Sequence, residues 1–163
     1  MSEITHASKS TASDNWLRDN AHLCQVSTKR LGAEKVRPGR AVKWDFSLKK
    51  SLGFSNDHIH IILSCKATAE NKSEKPLGTI EAEVVGNYQI GEDHPDISAS
   101  EATQFGDDVG VRDVFPYLRQ ALDLMAMQVG LGRVKLDPPT PSNAVGGKDS
   151  ASQSKDHGPA EAD

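Results

Sequence analysis

Residues 58–90 read HIHIILSCKATAENKSEKPLGTIEAEVVGNYQI, and two alternating runs within them decide the fold. From His58 to Thr68, Ile59, Ile61, Leu63, Cys65 and Ala67 share one face. His58, His60, Ile62, Ser64 and Lys66 share the other. A period of two is that of a strand with one covered side. From Leu77 to Ile90 the pattern repeats. Ile80, Ala82, Val84, Gly86, Tyr88 and Ile90 point one way; Thr79, Glu81, Glu83, Val85, Asn87 and Gln89 point the other. Asn71 to Pro76 joins the two runs and is polar and of hairpin length.

Working toward the N-terminus, Val42, Trp44, Phe46 and Leu48 alternate with Lys43, Asp45, Ser47 and Lys49, and Gly53 to Asp57 is a turn. Ala21 to Leu31 reads as a strand of mixed polarity (Leu23, Cys24, Val26, Thr28, Leu31), interrupted after its end by Gly32, Pro38 and Gly39. Four strands with polar connections and no helix between them predict an antiparallel sheet. Working toward the C-terminus, the period changes. Ser98-Ala99-Ser100-Glu101 is a capping box, in which Ser and Glu side chains satisfy free amides at a helix start. It opens a short helix expected to end near Gly106. From Val111 the apolar residues Val114, Phe115, Leu118, Leu122, Met125, Ala126 and Val129 form one stripe of an amphipathic helix. Pro116 is expected to kink this helix or mark its first turn. Gly130 and Gly132 stop it. Val134 to Leu136 is a short extended stretch before Pro138 and Pro139. Sheet first and helices last give the α+β class: a four-stranded antiparallel sheet with a short and a long helix on one face.

The chain has 163 residues, 36% of them hydrophobic and 5% aromatic. That modest apolar content is segregated. Residues 1–15 and 138–163 lack what is needed to offset chain entropy, so both are expected to be disordered tails around a domain at 16–137. The formal charge of −4 carries no basic footprint for nucleic acid. No apolar run approaches the roughly 20 residues of a membrane span, which excludes direct insertion. The first residues lack a charged-then-apolar leader, so a cytoplasmic protein is expected. In a reducing cytosol, Cys24 and Cys65 are expected as free thiols, with a disulfide between adjacent strands as the lesser alternative.

Several short signals invite a sharper reading. His94-Pro95-Asp96 is the tripeptide of J-domain co-chaperones, where it lies between two long helices; after a sheet it reads as a turn. His58 and His60, with His22 nearby, lack the further ligands of a zinc site, and a solvated strand face is the better reading; no metal is expected. Cys65 has no orienting partner or oxyanion hole by motif and reads as an interior thiol. Glu81 and Glu83 lie roughly 7 Å apart on one strand face, the spacing of an acid–base pair, but an exposed acidic face suits a protein partner as well. Phosphate-cradling motifs are missing, so no cofactor is implied. The motifs argue against an enzyme and leave a binding protein.

One segment is more specific. Val114-Phe115-Pro116-Tyr117-Leu118-Arg119 resembles the Phe-Pro-Tyr-x-Arg signature of the SecB family of export chaperones. Gly86-Asn87-Tyr88 resembles that family's Gly-x-aromatic, Leu136-Asp137-Pro138 its Leu-x-Pro, and Thr28-Lys29 a Thr-Lys of its first strand. The resemblance covers about Ala21 to Pro139. It departs where the family's Asn-Phe is Thr140-Pro141, and residues 142–163 cannot supply the family's second helix. Gly91 to Pro95 and the Pro-rich tail look more like the SecB-like branch, some of whose members protect the antitoxin of a toxin–antitoxin pair.

The resemblance implies an ATP-independent holdase chaperone assembled as a homotetramer, a dimer of dimers. Its clients would be unfolded preproteins bound for export or, alternatively, an antitoxin. The client groove so implied comprises Trp44, Phe46, Leu48, Tyr88, Phe105, Leu131 and Val134, with packing beneath the helix as the alternative for Trp44, Phe46 and Leu48. Glu81 matches the glutamate of the surface on which export members dock the SecA translocation ATPase, and Glu83, beside it on the same face, is expected to share that docking surface. Val114, Phe115, Leu118, Leu122 and Met125 are expected in the core or an oligomer interface.

Overall fold

The computed structural model describes residues 11–55 and 57–139, with side chains from residue 16 onward. Its elements are α1 (Thr11–Asn20), β1 (Ala21–Lys35), β2 (Lys43–Ser55), β3 (His58–Glu70), β4 (Pro76–Ile90), α2 (Ala99–Phe105), a π turn (Gly106–Gly110) and α3 (Val111–Gln128). The expected tails at 1–10 and 140–163 lie outside the described residues. Residues 11–15, assigned to a tail by composition, instead begin α1. Leu17 anchors this helix at 2% exposure. A ten-residue helix with so little apolar content leaves almost no periodic signal in the sequence.

All three strand pairings are antiparallel, in the order β1-β4-β3-β2. β2, β3 and β4 follow one another as hairpins, and β1 returns beside β4, the connectivity of a Greek key. Residues 36–42 therefore cross one end of the sheet from edge to edge, a span of about 15 Å at the usual strand spacing. Backbone hydrogen bonds fix the crossing. Val36 and Arg37 donate to the Leu77 carbonyl, Ala41 to that of Leu131 and Val42 to that of Glu70.

The mixed polarity of β1 has a specific cause. Its register against β4 shifts between Leu23 and Gln25 and again between Thr28 and Arg30. Each shift is a bulge that takes up one extra residue and resets the alternation. Leu23, Val26, Thr28, Leu31 and Ala33 thereby pair with Tyr88, Gly86, Val84, Ala82 and Ile80 of the helix-facing side, although Thr28 and Leu31 themselves stay exposed.

The covered faces of β3 and β4 match the alternation read from residues 58–90. Ile59, Ile61, Leu63, Cys65 and Ala67, and Ile80, Ala82, Val84, Tyr88 and Ile90, are all at most 3% exposed. The helical layer on this face is one continuous rod of about 30 residues, Ala99 to Gln128. Its start is the capping box: Ser98 Oγ accepts the Glu101 amide, and the Glu101 carboxylate accepts the Ser98 amide. α2 ends at Phe105 with Gly106 as its C-cap, but the chain stays helical through the π turn into α3. Gly106 and Gly110 serve close approach: a Cβ on Gly106 would lie 2.7 Å from Leu52 Cδ1, and one on Gly110 2.7 Å from Ile61 Cγ1. The two glycines let the π turn settle onto β3 and pass directly into α3. Pro116 lies inside α3, beyond its first turn.

The end of α3 is a Schellman motif. Gly130, with φ of +69°, donates to the Met127 carbonyl, and Leu131 donates to that of Ala126. The Lys35 ammonium donates to the Gly130 carbonyl at 3.0 Å, placing a cation at the negative end of the helix. Residues 131–139 follow without strand pairing. No described helix is long and apolar enough to cross a membrane.

Candidate functional site

The helical layer does not cover the sheet evenly. α3 packs on β4, β1 and β3, and the helix that reaches β2 is the short α2. β2 is an edge strand, so its outer side has no partner strand among the described residues. Its helix-facing residues follow from the register: Trp44, Phe46, Leu48, Lys50, Leu52 and Phe54 oppose Ala69, Ala67, Cys65, Leu63, Ile61 and Ile59 of β3. Trp44, Phe46 and Leu52 are half-buried against the core, while Leu48 and Phe54 are 36% and 38% exposed. The Trp44 and Phe46 rings stack with centroids 6.4 Å apart and planes 18° apart. Lys50 interrupts the strip, and its ammonium pairs with Asp107 of the π turn, tying β2 to the helical rod. The result is an apolar strip beside the helices, open on its outer edge. Edge strands left open in this way accept further extended chain.

Four expected groove residues are placed elsewhere. Tyr88, Phe105, Leu131 and Val134 are 1%, 5%, 0% and 4% exposed and belong to the core, so they present no surface to a bound chain. Tyr88 and Phe105 meet edge to face at 5.1 Å, and the Tyr88 hydroxyl donates to Asp113 Oδ2 at 3.2 Å. Burial, and after it the Asp113 carboxylate, pushes the Tyr88 phenol well above its ordinary range. Val134 is held by its amide, which donates to Asp123 Oδ1. The strand alternation alone put Tyr88 on the covered face; the close approach of α3 seals it there. A Cβ on Gly86 would stand 2.3 Å from Val114 Cγ2, so helix and strand touch at that glycine.

Val114, Phe115, Leu118 and Leu122 are buried under α3, and Met125 is half-buried against them. A second apolar set was missed. Tyr117, Leu124 and Met127 are 47%, 56% and 52% exposed on the outer side of the same helix. Their spacing of seven and three is the signal that could have found them.

Glu81 and Glu83 lie on the open face of the sheet, but that face is not acidic. Arg30 pairs with Glu81 at 3.9 Å. Lys66 is directly opposite Glu81 across the strands, and Arg30 opposite Glu83. Lys49, Lys66 and Arg30 line the same shallow dent of about 280 Å³ as the two glutamates. Antiparallel pairing brings these cations from β1, β2 and β3, which reading β4 by itself could not anticipate.

The His58 and His60 rings stack 6.2 Å apart on this open face, and His60 Nδ1 lies 2.8 Å from Asn87 Oδ1. Among the described residues, no group of three or more His, Cys, Asp or Glu is arranged to hold a metal ion. Cys24 is exposed and Cys65 buried, both as free thiols, and burial pushes the Cys65 thiol up to about 11. His94-Pro95-Asp96 lies in the irregular segment between β4 and α2, with the His94 ring 6.4 Å from that of Trp16.

No family sequence model and no curated protein sequence matches the chain. Among solved structures, the chain is similar to the Mycobacterium tuberculosis SecB-like chaperone Rv1957, determined in complex with a ChAD peptide from the antitoxin Rv1956 HigA1. The TM-score is 0.69 at 17% identity, over 78% of this chain and 96% of that one. Nearly the whole of the neighbour is thus matched, and the fold of this chain is SecB-like.

Proposed function

We propose that this protein is an ATP-independent holdase chaperone that keeps unfolded polypeptide soluble by binding it along the inner face and open edge of β2. The observation that carries this reading is the partly covered strip of Trp44, Phe46, Leu48, Leu52 and Phe54, with Leu48 and Phe54 exposed, beside the helical rod of a SecB-like fold. An unfolded chain exposes scattered apolar side chains, and ordering it costs entropy. One strip of this size binds weakly. Several strips on a homotetramer, a dimer of dimers, would bind the same chain with avidity and without nucleotide hydrolysis. The exposed Tyr117, Leu124 and Met127 of α3 are a surface that such an assembly would cover.

Two client classes fit the reading. Preproteins awaiting export from the cytoplasm are one, with delivery to the SecA translocation ATPase. The mixed charge around Glu81 and Glu83 favours a partner of mixed charge there over a purely basic one. An antitoxin is the other, and the antitoxin peptide bound by the similar structure favours it. The test has two steps. Light scattering gives the mass of the assembly. The purified protein at stoichiometric concentration is then mixed with a reduced, unfolded model client in the absence of ATP. Suppressed aggregation supports the reading; aggregation unchanged at a stable tetramer mass overturns it. Client choice follows from competition, in which an antitoxin segment should displace the model client more strongly than a preprotein segment does.

A further inference from the structure

A cleft of about 520 Å³ opens between α3 and the irregular segment that follows it, and the chaperone reading does not use it. Its lining divides by chemistry. Pro116 and Pro138 supply exposed apolar wall above the buried Phe115 and Val134, and Arg119, Arg133 and Lys135 supply three cations against the single carboxylate of Asp123. That carboxylate is engaged already, because Asp123 Oδ1 accepts the Val134 amide at 3.0 Å and so pins the segment that forms the second wall. Arg119, Arg133 and Lys135 are exposed and have no ion-pair partner among the described residues. Elsewhere on the surface, Arg18, Arg30, Lys43, Lys50 and Arg112 each face a carboxylate, whereas Lys29, Arg37 and Arg40 face none among the described residues; what sets the cleft apart is that three such cations line one cavity. In a chain of formal charge −4, this is a local positive site with apolar walls.

We infer that this cleft is a docking site for an acidic peptide segment carrying apolar side chains. The chemistry selects that occupant. Arginine guanidinium groups match carboxylates bidentately, and their stems cover apolar surface while the charged ends stay in water. Arg119 and Arg133 stand on opposite walls, one on the helix and one on the irregular segment, so a chain lying between them meets a cation on either side. The volume falls within the usual range for ligand clefts, roughly 300–1,000 Å³. A basic segment would be repelled by three charges, and a purely apolar one would leave the cations' preference unused. Arg119 closes the Phe-Pro-Tyr-Leu-Arg run, which gives that run a second use: Phe115 is core, Pro116 is cleft wall, and Arg119 reaches the ligand.

The site uses none of the β2 strip, so it can be tested apart from the holding of clients. Fluorescence anisotropy of the full chain is measured with a labelled peptide in which Glu alternates with Leu, and with its Lys counterpart. The Glu peptide is expected to bind, and more weakly as salt is raised; the Lys peptide is not. Arg133→Glu with Lys135→Glu should weaken the Glu peptide by about tenfold or more, the loss expected when charge-assisted contacts become repulsive. Both positions are exposed outside regular structure, and an unchanged urea midpoint will show that the variant is folded. Arg119→Gln, on the other wall, should cause a smaller loss of the same sign. Suppression of aggregation of an uncharged model client should be retained in both variants, so a failure of the chaperone reading leaves this result readable. Equal binding of the two peptides, no binding of the Glu peptide, or binding indifferent to the charge reversal would overturn the inference.

Discussion

Gly86→Ala tests the contact on which the helical layer rests. The added Cβ would meet Val114 Cγ2 at 2.3 Å, where carbon atoms in contact normally stand about 3.5–4.0 Å apart. The overlap is more than an ångström, and neither side can yield easily. Gly86 lies on β4, paired to β1 and β3, and Val114 is fully buried on α3. Overpacking of this kind costs about 1–3 kcal/mol, partly offset by a gain of about 0.5–1 kcal/mol from the lower chain entropy of alanine. Val114→Ala by itself should cost about 2 kcal/mol in lost burial and a small cavity. In the double variant, the next atoms are Leu23 Cδ1 at 3.4 Å and the residue 114 Cβ at 3.6 Å, which is ordinary contact. The double variant should therefore be more stable than the sum of the singles predicts, by about 1–2 kcal/mol. Urea unfolding followed by Trp16 and Trp44 fluorescence measures all four proteins, at one protomer concentration so that any assembly contributes equally. Additive costs within about 0.5 kcal/mol would refute the close approach of α3 to β4.

Three further outcomes are expected. Leu48→Ser with Phe54→Ser removes the most exposed part of the β2 strip and should lower client-holding capacity severalfold, with a stability change within about 1 kcal/mol, read by light scattering and urea unfolding. Stability should be full below the ordinary thiol range and fall as pH rises toward 11, because burial raises the Cys65 pKa from 9.0 to about 11 and the native state resists losing that proton. The loss attributable to Cys65 is about 2–3 kcal/mol, and Cys65→Ala should flatten that part of the alkaline slope in urea titrations. A thiol reagent at neutral pH should modify one cysteine per native chain, the exposed Cys24, and both in denaturant; rapid labelling of both in native protein would contradict the burial of Cys65.

The sequence carried the local rules of this fold and missed those that depend on distant partners. Alternation placed Ile59 to Ala67 and Ile80 to Ile90 on the covered face because one-sided burial forces a period of two. Ser98 with Glu101 marked the rod's start, and Gly130 its end, because caps need those residue types. The order β1-β4-β3-β2 was not legible, since residues 36–42 look like any loop until Leu77, Leu131 and Glu70 accept their amides. Nor was the role of Gly106 and Gly110. A glycine that ends a helix and one that lets a helix touch Ile61 are the same letter. The candidate site divides the same way. Alternation put Trp44, Phe46 and Leu48 on one face of β2, and the register sets them opposite the covered face of β3, because an edge strand leaves the pattern intact. Tyr88, Phe105, Leu131 and Val134 were assigned to a surface that α3 and the segment after it close over. Glu81 and Glu83 gained cationic neighbours only through cross-strand pairing.

The holding of unfolded chain is measured by following the light scattering of a reduced, unfolded client with the 163-residue chain present at stoichiometric concentration and ATP absent. The proposed function predicts that aggregation is suppressed, and that Leu48→Ser with Phe54→Ser removes most of the protection while the protein stays folded. Aggregation that proceeds unchanged beside a stable, folded assembly would contradict it.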